Sequence, residues 1–311
     1  MIKKLVPALL LVLTMAITAL NAAVSATENS LCGEVGNACQ VKLGTYNISL
    51  PRTSLSSASL SGTKKDHKIP AVIFYHGAGR SGADTLKNTT MIKAMNNRGY
   101  AVIAPSGLKR PNSRFGMGWS FIPQRKKMRD ELAFTREIIQ DAAHKFKIDR
   151  DKILMSGFSI GGSLVWYLAC QDNQVATAYA PIAGAFWAPE PIAQECSGPI
   201  KLMQTHGWRD KTVPLEGRPL GGGSIQQGDV FHSLKVIREV NQCEGLRADE
   251  FDTSPVTSGS TLFWQRWWTR CNPESSLRLA LHTGGHSIPK GWTKMALDWF
   301  EQITGSSRTT N

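Results

Sequence analysis

A serine flanked by glycines is the residue of this chain best suited to nucleophilic chemistry. Ser159 is the centre of Gly157-Phe158-Ser159-Ile160-Gly161, with a glycine two positions before it and another two positions after it. A serine hydroxyl becomes an effective nucleophile when a base removes its proton and when a sharp strand-to-helix turn exposes it. An apolar run ends at Met155 and a helical pattern opens at Gly161, so the context fits this chemistry. A glycine-rich turn with a bystander serine is the alternative.

Two later segments supply a base and a carboxylate. His286 follows paired glycines after the last apolar run and is the candidate general base, with His282 as the competing histidine. Asp210 lies between the serine and that run, where a carboxylate would hold the imidazole in the correct tautomer. A surface aspartate in a turn is the alternative, and His206 is expected to support this loop. The order serine, aspartate, histidine is the one used by α/β-hydrolases.

A glycine-containing turn after an earlier apolar run is a candidate oxyanion hole. The tetrahedral intermediate of ester hydrolysis carries a negative oxygen, which backbone N–H groups stabilise. One donor is expected just after the nucleophile, at Ile160, and the other in the loop after an earlier strand. In His76-Gly77-Ala78-Gly79, Ala78 is the first choice and Gly77 the second. An ordinary strand-ending turn is the alternative.

Short apolar runs alternate with helical patterns along the chain. Strands are predicted over 71–75, 100–104, 152–155, 175–182, 200–205 and 277–281, and helices over 85–97, 128–147, 161–170 and 292–303. This alternation predicts an α/β fold with a mainly parallel sheet and helices on both faces. Ligands of such sheets bind beyond the C-terminal ends of the strands, where the candidate residues lie.

The first 26 residues have the pattern of a secretory signal peptide. Lys3 and Lys4 precede an apolar run from Leu5 to Leu20, and Val24-Ser25-Ala26 is typical of a cleavage site. A membrane anchor is the alternative, but this run is shorter than the roughly 20 residues of a spanning helix. We therefore predict a secreted protein, extracellular or periplasmic, without a stable membrane anchor. Residues 27–311 are predicted to form one catalytic domain.

The chain is basic, with a net charge of +12. Such a charge can attract an acidic polysaccharide or a cell envelope, although solubility is the simpler explanation. The basic clusters are short, and Arg125-Lys126-Lys127 is the longest. No nucleic-acid-binding motif accompanies them, so no nucleic-acid partner is expected.

Six cysteines in an exported chain predict three disulfides. Fifteen pairings are possible, and nearness in sequence favours Cys32 with Cys39, Cys170 with Cys196, and Cys243 with Cys271. Free buried thiols are the alternative. The cysteine spacing does not match a zinc site, so no metal is expected.

Together these segments give the chain a family resemblance from about residue 39 to 303. It resembles the secreted poly(3-hydroxybutyrate) depolymerase-like family of α/β-hydrolases, which also contains feruloyl and acetylxylan esterases. The matching segments are Gly44-Thr45-Tyr46, 76–79, 130–134, 157–162, Ala169-Cys170, 206–214, Cys243, Cys271 and 284–286. The resemblance implies the α/β-hydrolase fold, secretion, no cofactor or metal, and hydrolysis of esters of hydroxy or aromatic acids. Ile288 departs from the tryptophan that members often carry there.

The favoured function is a serine esterase that acts on short polyhydroxyalkanoate chains through an acyl-enzyme. The same chemistry on feruloyl or acetyl esters of plant cell walls is the alternative, and a peptidase or a catalytically silent binding protein is disfavoured. Trp208 is a candidate substrate contact, although tryptophans more often pack in a core. The loop 106–127 and the segment Trp264–Trp268 have no assigned role.

Overall fold

The computed structural model describes residues 32–33, 37–52, 68–111, 116–245, 250–256 and 261–305. The predicted signal peptide lies outside these residues. The strands are β1 Cys39–Val41, β2 Gly44–Ser49, β3 Ile69–Tyr75, β4 Ala101–Pro105, β5 Leu108–Lys109, β6 Met117–Gly118, β7 Ile148–Phe158, β8 Ala178–Ile182, β9 Trp187–Ala188, β10 Lys201–Gly207, β11 Arg218–Leu220, β12 Ile225–Gln227, β13 Glu250–Val256, β14 Thr261–Trp268 and β15 Ser276–His282. The helices described in full are α1 Gly82–Leu86, α2 Thr89–Asn97, α3 Glu131–Phe146, α4 Ile160–Gln171, α5 Val230–Val240 and α6 Trp292–Ile303.

Ten strands form one sheet in the order β1-β2-β4-β3-β7-β8-β10-β15-β14-β13. The six central strands, from β4 to β15 in that order, are parallel. Two antiparallel strands extend the sheet at each edge. Two small sheets, β11-β12-β9 and β5-β6, lie outside it. The alternation of strands and helices predicts this mainly parallel sheet, and the family resemblance predicts the α/β-hydrolase fold that it forms.

The apolar core forms two layers, one on each face of the sheet. One layer includes buried side chains of α3, α4 and α5, such as Phe134, Leu164 and Leu234. The other lies under α2 and α6 and includes Met95 and Trp292. Burial on both faces explains why the central strands are continuous apolar runs rather than alternating patterns.

Most of the predicted elements are present, and two predicted helices differ from the structure. The predicted helix 85–97 ends as expected at Asn97 but begins only at Thr89, because α1 ends at Leu86 and the Asn88 side chain caps α2 by accepting the Met91 N–H. The predicted helix 128–147 begins only at Glu131, since Asp130 caps α3. The antiparallel strands β13 and β14 were not predicted.

All six cysteines are among the described residues, and each belongs to a disulfide. The pairs are Cys32–Cys39, Cys170–Cys196 and Cys243–Cys271, as nearness in sequence predicts. No helix in the described ranges is both long enough and apolar enough to span a bilayer.

Candidate active site

Ser159 lies at the turn from β7 into α4 with a backbone conformation that L-residues rarely adopt. Its φ is 59° and its ψ is −124°. Such strain costs about 1–3 kcal/mol and persists where the surrounding structure enforces it. The Ser159 N–H donates to the Ile182 carbonyl of β8 at 2.9 Å, and α4 begins at the next residue. The turn is therefore held from both sides, with the Ser159 side chain beyond the strand end.

The glycines around Ser159 are required by close backbone contacts. A Cβ on Gly161 would lie 2.2 Å from the carbonyl oxygen of Tyr75, and one on Gly157 would lie 2.5 Å from that of Gly161. A Cβ on Gly162 would lie 2.4 Å from the carbonyl oxygen of Ile182. The sequence motif thus reflects how tightly this turn packs against β3 and β8.

The hydroxyl of Ser159, the imidazole of His286 and the carboxylate of Asp210 form a hydrogen-bonded chain. Ser159 Oγ lies 2.9 Å from His286 Nε2, and His286 Nδ1 lies 2.7 Å from Asp210 Oδ2. When Nδ1–H donates to Asp210, the lone pair of Nε2 faces the serine, which is the tautomer a general base needs. The His286 side chain is 18% exposed and that of Asp210 is fully buried.

Both carboxylate oxygens of Asp210 are engaged. Oδ1 accepts the N–H groups of Thr212 at 2.8 Å and Val213 at 2.9 Å, and Oδ2 faces His286. Burial raises the pKa of Asp210, but the hydrogen bonds from His286, Val213 and Thr212 outweigh it, and the net pKa is below the ordinary value. The carboxylate is therefore ionised at neutral pH and fixed in direction.

The loops that carry Asp210 and His286 are joined through their backbones. The Trp208 N–H donates to the His282 carbonyl at 2.8 Å, and the Arg209 N–H donates to the Gly284 carbonyl at 3.0 Å. A Cβ on Gly207 would lie 2.3 Å from the carbonyl oxygen of Gly285, so only glycine allows this approach. These contacts extend the parallel pairing of β10 with β15 into the two loops.

A buried network of hydrogen bonds between side chains of α4 and β10 supports the loop that carries Asp210. Trp166 Nε1 donates to Gln204 Oε1 at 3.1 Å, and Gln204 Nε2 donates to His206 Nδ1 at 2.9 Å. His206 Nε2–H in turn donates to the Val213 carbonyl at 2.8 Å. Burial lowers the pKa of His206, which keeps it neutral. His206 therefore supports the loop as predicted, whereas Gln204 and Trp166 carry no motif that would have identified them.

His282 is buried and does not contact Ser159. Its Nδ1 accepts the Gly284 N–H at 3.1 Å. Burial lowers the pKa of His282 to about 4. Of the two competing histidines, His286 is the one that lies against the serine.

The loop after β3 is fixed by His76. His76 Nε2 accepts the Gly107 N–H at 2.9 Å, so its Nδ1–H donates to the Gly77 carbonyl at 2.8 Å. Burial lowers the pKa of His76 to about 4, which keeps the ring neutral. The indole of Trp119 donates to the His76 carbonyl at 2.9 Å. The loop 106–127 therefore holds the candidate oxyanion loop in place, and Trp119 is a buried part of this contact.

Backbone N–H groups in the loop after β3 and at the start of α4 are candidates for an oxyanion hole beside Ser159. A Cβ on Gly77 would lie 3.5 Å from that of Ser159, so this loop adjoins Ser159. The N–H of Gly79 donates to Met117, while no protein acceptor for the Ala78 N–H occurs among the described hydrogen bonds. Ile160 opens α4, where first-turn N–H groups lack helical partners. The N–H of Gly77 likewise has no described acceptor, so Ala78, Gly77 and Ile160 all remain candidate donors.

Apolar side chains adjoin one side of the serine. Ile160 packs against buried Ile122, Trp187 and Ile225 of the 106–127 loop and the small β9-β12 sheet. Trp208 is 63% exposed beside Asp210, so it is accessible to a ligand. In the described ranges no group of three or more His, Cys, Asp or Glu side chains is arranged to bind a metal. The site can perform nucleophilic acyl transfer with these protein groups.

Comparison with known proteins identifies a family. The model of the phospholipase/carboxylesterase family matches residues 61–220, which is just over half of the 311 residues. The matched range includes the His76–Gly79 loop, Ser159 and Asp210, and ends before His286.

The chain is similar to several individual proteins. It is 25% identical over 236 residues to NocK of Nocardia uniformis subsp. tsuyamanensis, provisionally named an esterase, and the match covers 71% of this chain and 66% of NocK. It is 26% identical over 255 residues to feruloyl esterase B of Piromyces equi, which covers 78% of this chain and 44% of that protein. The chain thus spans just under two thirds of one relative and under half of the other.

The fold is similar to that of a solved esterase. Acetyl xylan esterase from Aspergillus awamori superposes with a TM-score of 0.60 at 15% identity, and the alignment covers 85% of this chain and 99% of that one. At this identity the likeness supports the fold alone.

Proposed function

The chain belongs to the phospholipase/carboxylesterase family, and from this premise we propose that it is a carboxylic-ester hydrolase that works through Ser159, His286 and Asp210. The hydrogen-bonded chain with separations of 2.9 Å and 2.7 Å carries the proposal. Strain at the serine, an ionised aspartate and free N–H donors beside it support the same chemistry. A silent binding module has no need of this combination.

The proposed reaction proceeds through an acyl-enzyme. Ser159 Oγ attacks the ester carbonyl while His286 Nε2 takes its proton, and the N–H groups of Ile160 and Ala78 stabilise the oxyanion. The carbon–oxygen bond to the alcohol breaks, and the alcohol leaves with the proton from Nε2. Water then attacks the acyl-enzyme as His286 removes its proton, and the acid leaves as Ser159 regains a proton. Asp210 stabilises the imidazolium in both halves.

We place feruloyl or acetyl esters of cell-wall polysaccharides first among substrates. A similar protein is named a feruloyl esterase, and another is named an acetylxylan esterase/xylanase. Polyester oligomers, favoured from sequence alone, become the second candidate, because no similarity found supports depolymerase specificity. Trp208 is proposed as a substrate contact on account of its exposure beside Asp210.

We further propose that residues 1–26 are removed on export and that 27–311 form the mature domain. Three disulfides support an oxidising compartment. Intact mass measurement of the exported protein should give an N-terminus near Thr27. A protein retained in the membrane fraction with Met1 intact would contradict this.

Replacing Ser159 with alanine tests the proposed chemistry. Activity on p-nitrophenyl acetate should fall by roughly 10⁴- to 10⁶-fold, and adding His286→Ala should cost little more, because such residues act as a unit. Labelling by a fluorophosphonate probe should disappear as well. Ser224→Ala, at an exposed serine in another loop, is the matched control and should retain both. Near-normal turnover by Ser159→Ala would refute the proposal.

A substrate panel then separates the candidate functions. Methyl ferulate, acetylated xylan, hydroxybutyrate oligomers and a peptide p-nitroanilide should be compared by kcat/KM. Preference for either cell-wall ester supports the first reading. Preference for the hydroxybutyrate oligomers would support the depolymerase hypothesis instead, and preference for the anilide would indicate a peptidase.

A further inference from the structure

The loops around Ser159 carry cations that have no acidic partner. Arg80 follows the candidate oxyanion loop, Arg209 and Lys211 flank Asp210, and Lys290 lies four residues after His286. All four side chains are exposed. Within the described part of the chain, none lies within 4.0 Å of a carboxylate. Asp210 forms no ion pair with Arg209 or Lys211, because its two oxygens face Thr212, Val213 and His286. We call these four residues the rim cations.

Cations on the helices are arranged differently. Several lie within ion-pair distance of carboxylates on the same or a neighbouring helix or turn, as in Arg98–Glu301, Arg136–Asp172, Lys145–Asp141, Lys235–Glu239 and Lys294–Asp298. The helices thus carry charges of both signs within ion-pair distance, whereas the rim cations have no carboxylate within that distance. A solubilising surface is expected to mix charges everywhere. Exposed cations without such a partner also occur elsewhere, for example Lys68 and Lys152, but the rim cations lie on the loops that carry the candidate catalytic residues, where they can contact a bound ligand.

A second basic feature lies on the 106–127 loop, which contacts the candidate oxyanion loop. Arg110 donates to the Lys126 carbonyl at 3.0 Å. Burial, and then the positive charge of Arg125, lower the pKa of Arg110. The bond to the Lys126 carbonyl places the Arg110 guanidinium next to the residue that follows Arg125, so positive charge is concentrated on this part of the loop, where an anion could bind.

An exposed aromatic side chain accompanies the rim cations. Trp208 is 63% exposed and immediately precedes Arg209. An indole offers a flat apolar face beside a polar edge, which suits the apolar face of a sugar ring. A cation next to it suits a carboxylate on the same sugar.

Resting on the proposed esterase function, we propose that the natural ester is carried by an acidic polysaccharide, a sugar polymer with carboxylate groups. The rim cations and the Arg110–Arg125 pair would attract the polymer, and Trp208 would contact a sugar ring near the ester. Clefts lined by one sign of charge raise the local concentration and association rate of oppositely charged substrates. An anionic membrane would also be attracted. Peripheral membrane binding commonly uses one amphipathic helix with a basic face, whereas these cations are spread over separate loops.

The test compares acetate release from two polymers of equal acetyl content, acetylated polygalacturonate and acetylated neutral xylan. The ratio of kcat/KM for the anionic to the neutral polymer should be about tenfold at low ionic strength. It should approach one when NaCl rises from about 20 mM to about 300 mM, which shortens the Debye length to about 6 Å. Hydrolysis of the uncharged ester p-nitrophenyl acetate measures esterase activity independently of polymer binding.

Charge reversal locates the effect. The double variant Arg80→Glu with Lys290→Glu should lower the ratio of kcat/KM for the anionic polymer to that for the neutral polymer by about tenfold. A general loss of activity would affect both polymers equally and leave this ratio unchanged. The matched control is Lys68→Glu with Lys152→Glu, and it should keep the wild-type ratio. These two exposed lysines lie at the N-terminal end of the central parallel strands, opposite to the end that carries Ser159.

The outcomes are distinguishable. An enzyme that hydrolyses p-nitrophenyl acetate but shows equal, salt-independent rates on both polymers overturns the acidic-polysaccharide proposal alone. Stronger binding to vesicles of phosphatidylglycerol than to polygalacturonate overturns it in favour of a lipid surface. Equal effects of the two double variants also overturn it. Failure on every ester, p-nitrophenyl acetate included, refutes the proposed function instead.

Discussion

Replacing Ser159 with glycine or with alanine isolates the backbone strain at the proposed nucleophile. Both variants lose the hydroxyl and its hydrogen bond to His286, so they differ only by a Cβ atom. At φ 59° and ψ −124°, alanine retains the strain and glycine releases it. The strain is worth about 1–3 kcal/mol, and the greater freedom of glycine in the unfolded chain offsets about 0.5–1 kcal/mol. We therefore expect Ser159→Gly to exceed Ser159→Ala in free energy of unfolding by about 1 kcal/mol.

Thermal and urea unfolding with the disulfides intact measure this difference. For a domain of this size, 1 kcal/mol corresponds to a Tm shift of about 2–4 °C. Ser224 is the matched control, because its φ of −71° and ψ of −17° suit alanine. There the order should reverse, with the glycine variant less stable by about 0.5–1 kcal/mol. If Ser159→Gly is no more stable than Ser159→Ala, the strain argument is refuted.

Two further predictions concern the support of the site. Gly207→Ala would place a Cβ 2.3 Å from the Gly285 carbonyl oxygen and force the Asp210 and His286 loops apart. Turnover of p-nitrophenyl acetate should therefore fall. Urea unfolding should show that the free energy of unfolding decreases by about 1–3 kcal/mol. Unchanged turnover would contradict that geometry. Burial lowers the pKa of His76 from 6.5 to about 4, so between these values the unfolded chain binds a proton that the folded chain excludes. The free energy of unfolding should therefore fall as pH drops through this window, by about 3 kcal/mol for His76 alone; a flat urea-unfolding profile from pH 7 to pH 4.5 would contradict it.

The central sheet and the residues around Ser159 could be predicted because their signals are local. Buried parallel strands are continuous apolar runs, and the predicted helix 292–303 matches α6 from Trp292 to Ile303. Gly157 and Gly161 predict the sharp turn because side chains there would overlap backbone atoms. Such constraints act within a few residues, so a single sequence records them.

The choice between His282 and His286 depends on a short turn. His282 ends β15 beneath the site, where its Nδ1 accepts the N–H of Gly284. The chain then turns through paired glycines, and Gly285 accommodates the backbone approach from Gly207. Four residues after His282, His286 emerges against Ser159. The paired glycines therefore mark the turn that brings His286, rather than His282, to within 2.9 Å of Ser159.

The roles of Gln204, Trp119 and the 106–127 loop could not be predicted, because their partners are distant in sequence. Gln204 has no motif of its own, yet it links Trp166 to His206 and so fixes the Asp210 loop. Trp119 resembles any other tryptophan in a loop until its indole is seen to donate to the His76 carbonyl, 43 positions away. Chemistry at a serine requires particular residue types, which a sequence displays. The rigidity that would favour such chemistry comes from hydrogen bonds between distant segments, and these bonds depend on the order of the strands in the sheet.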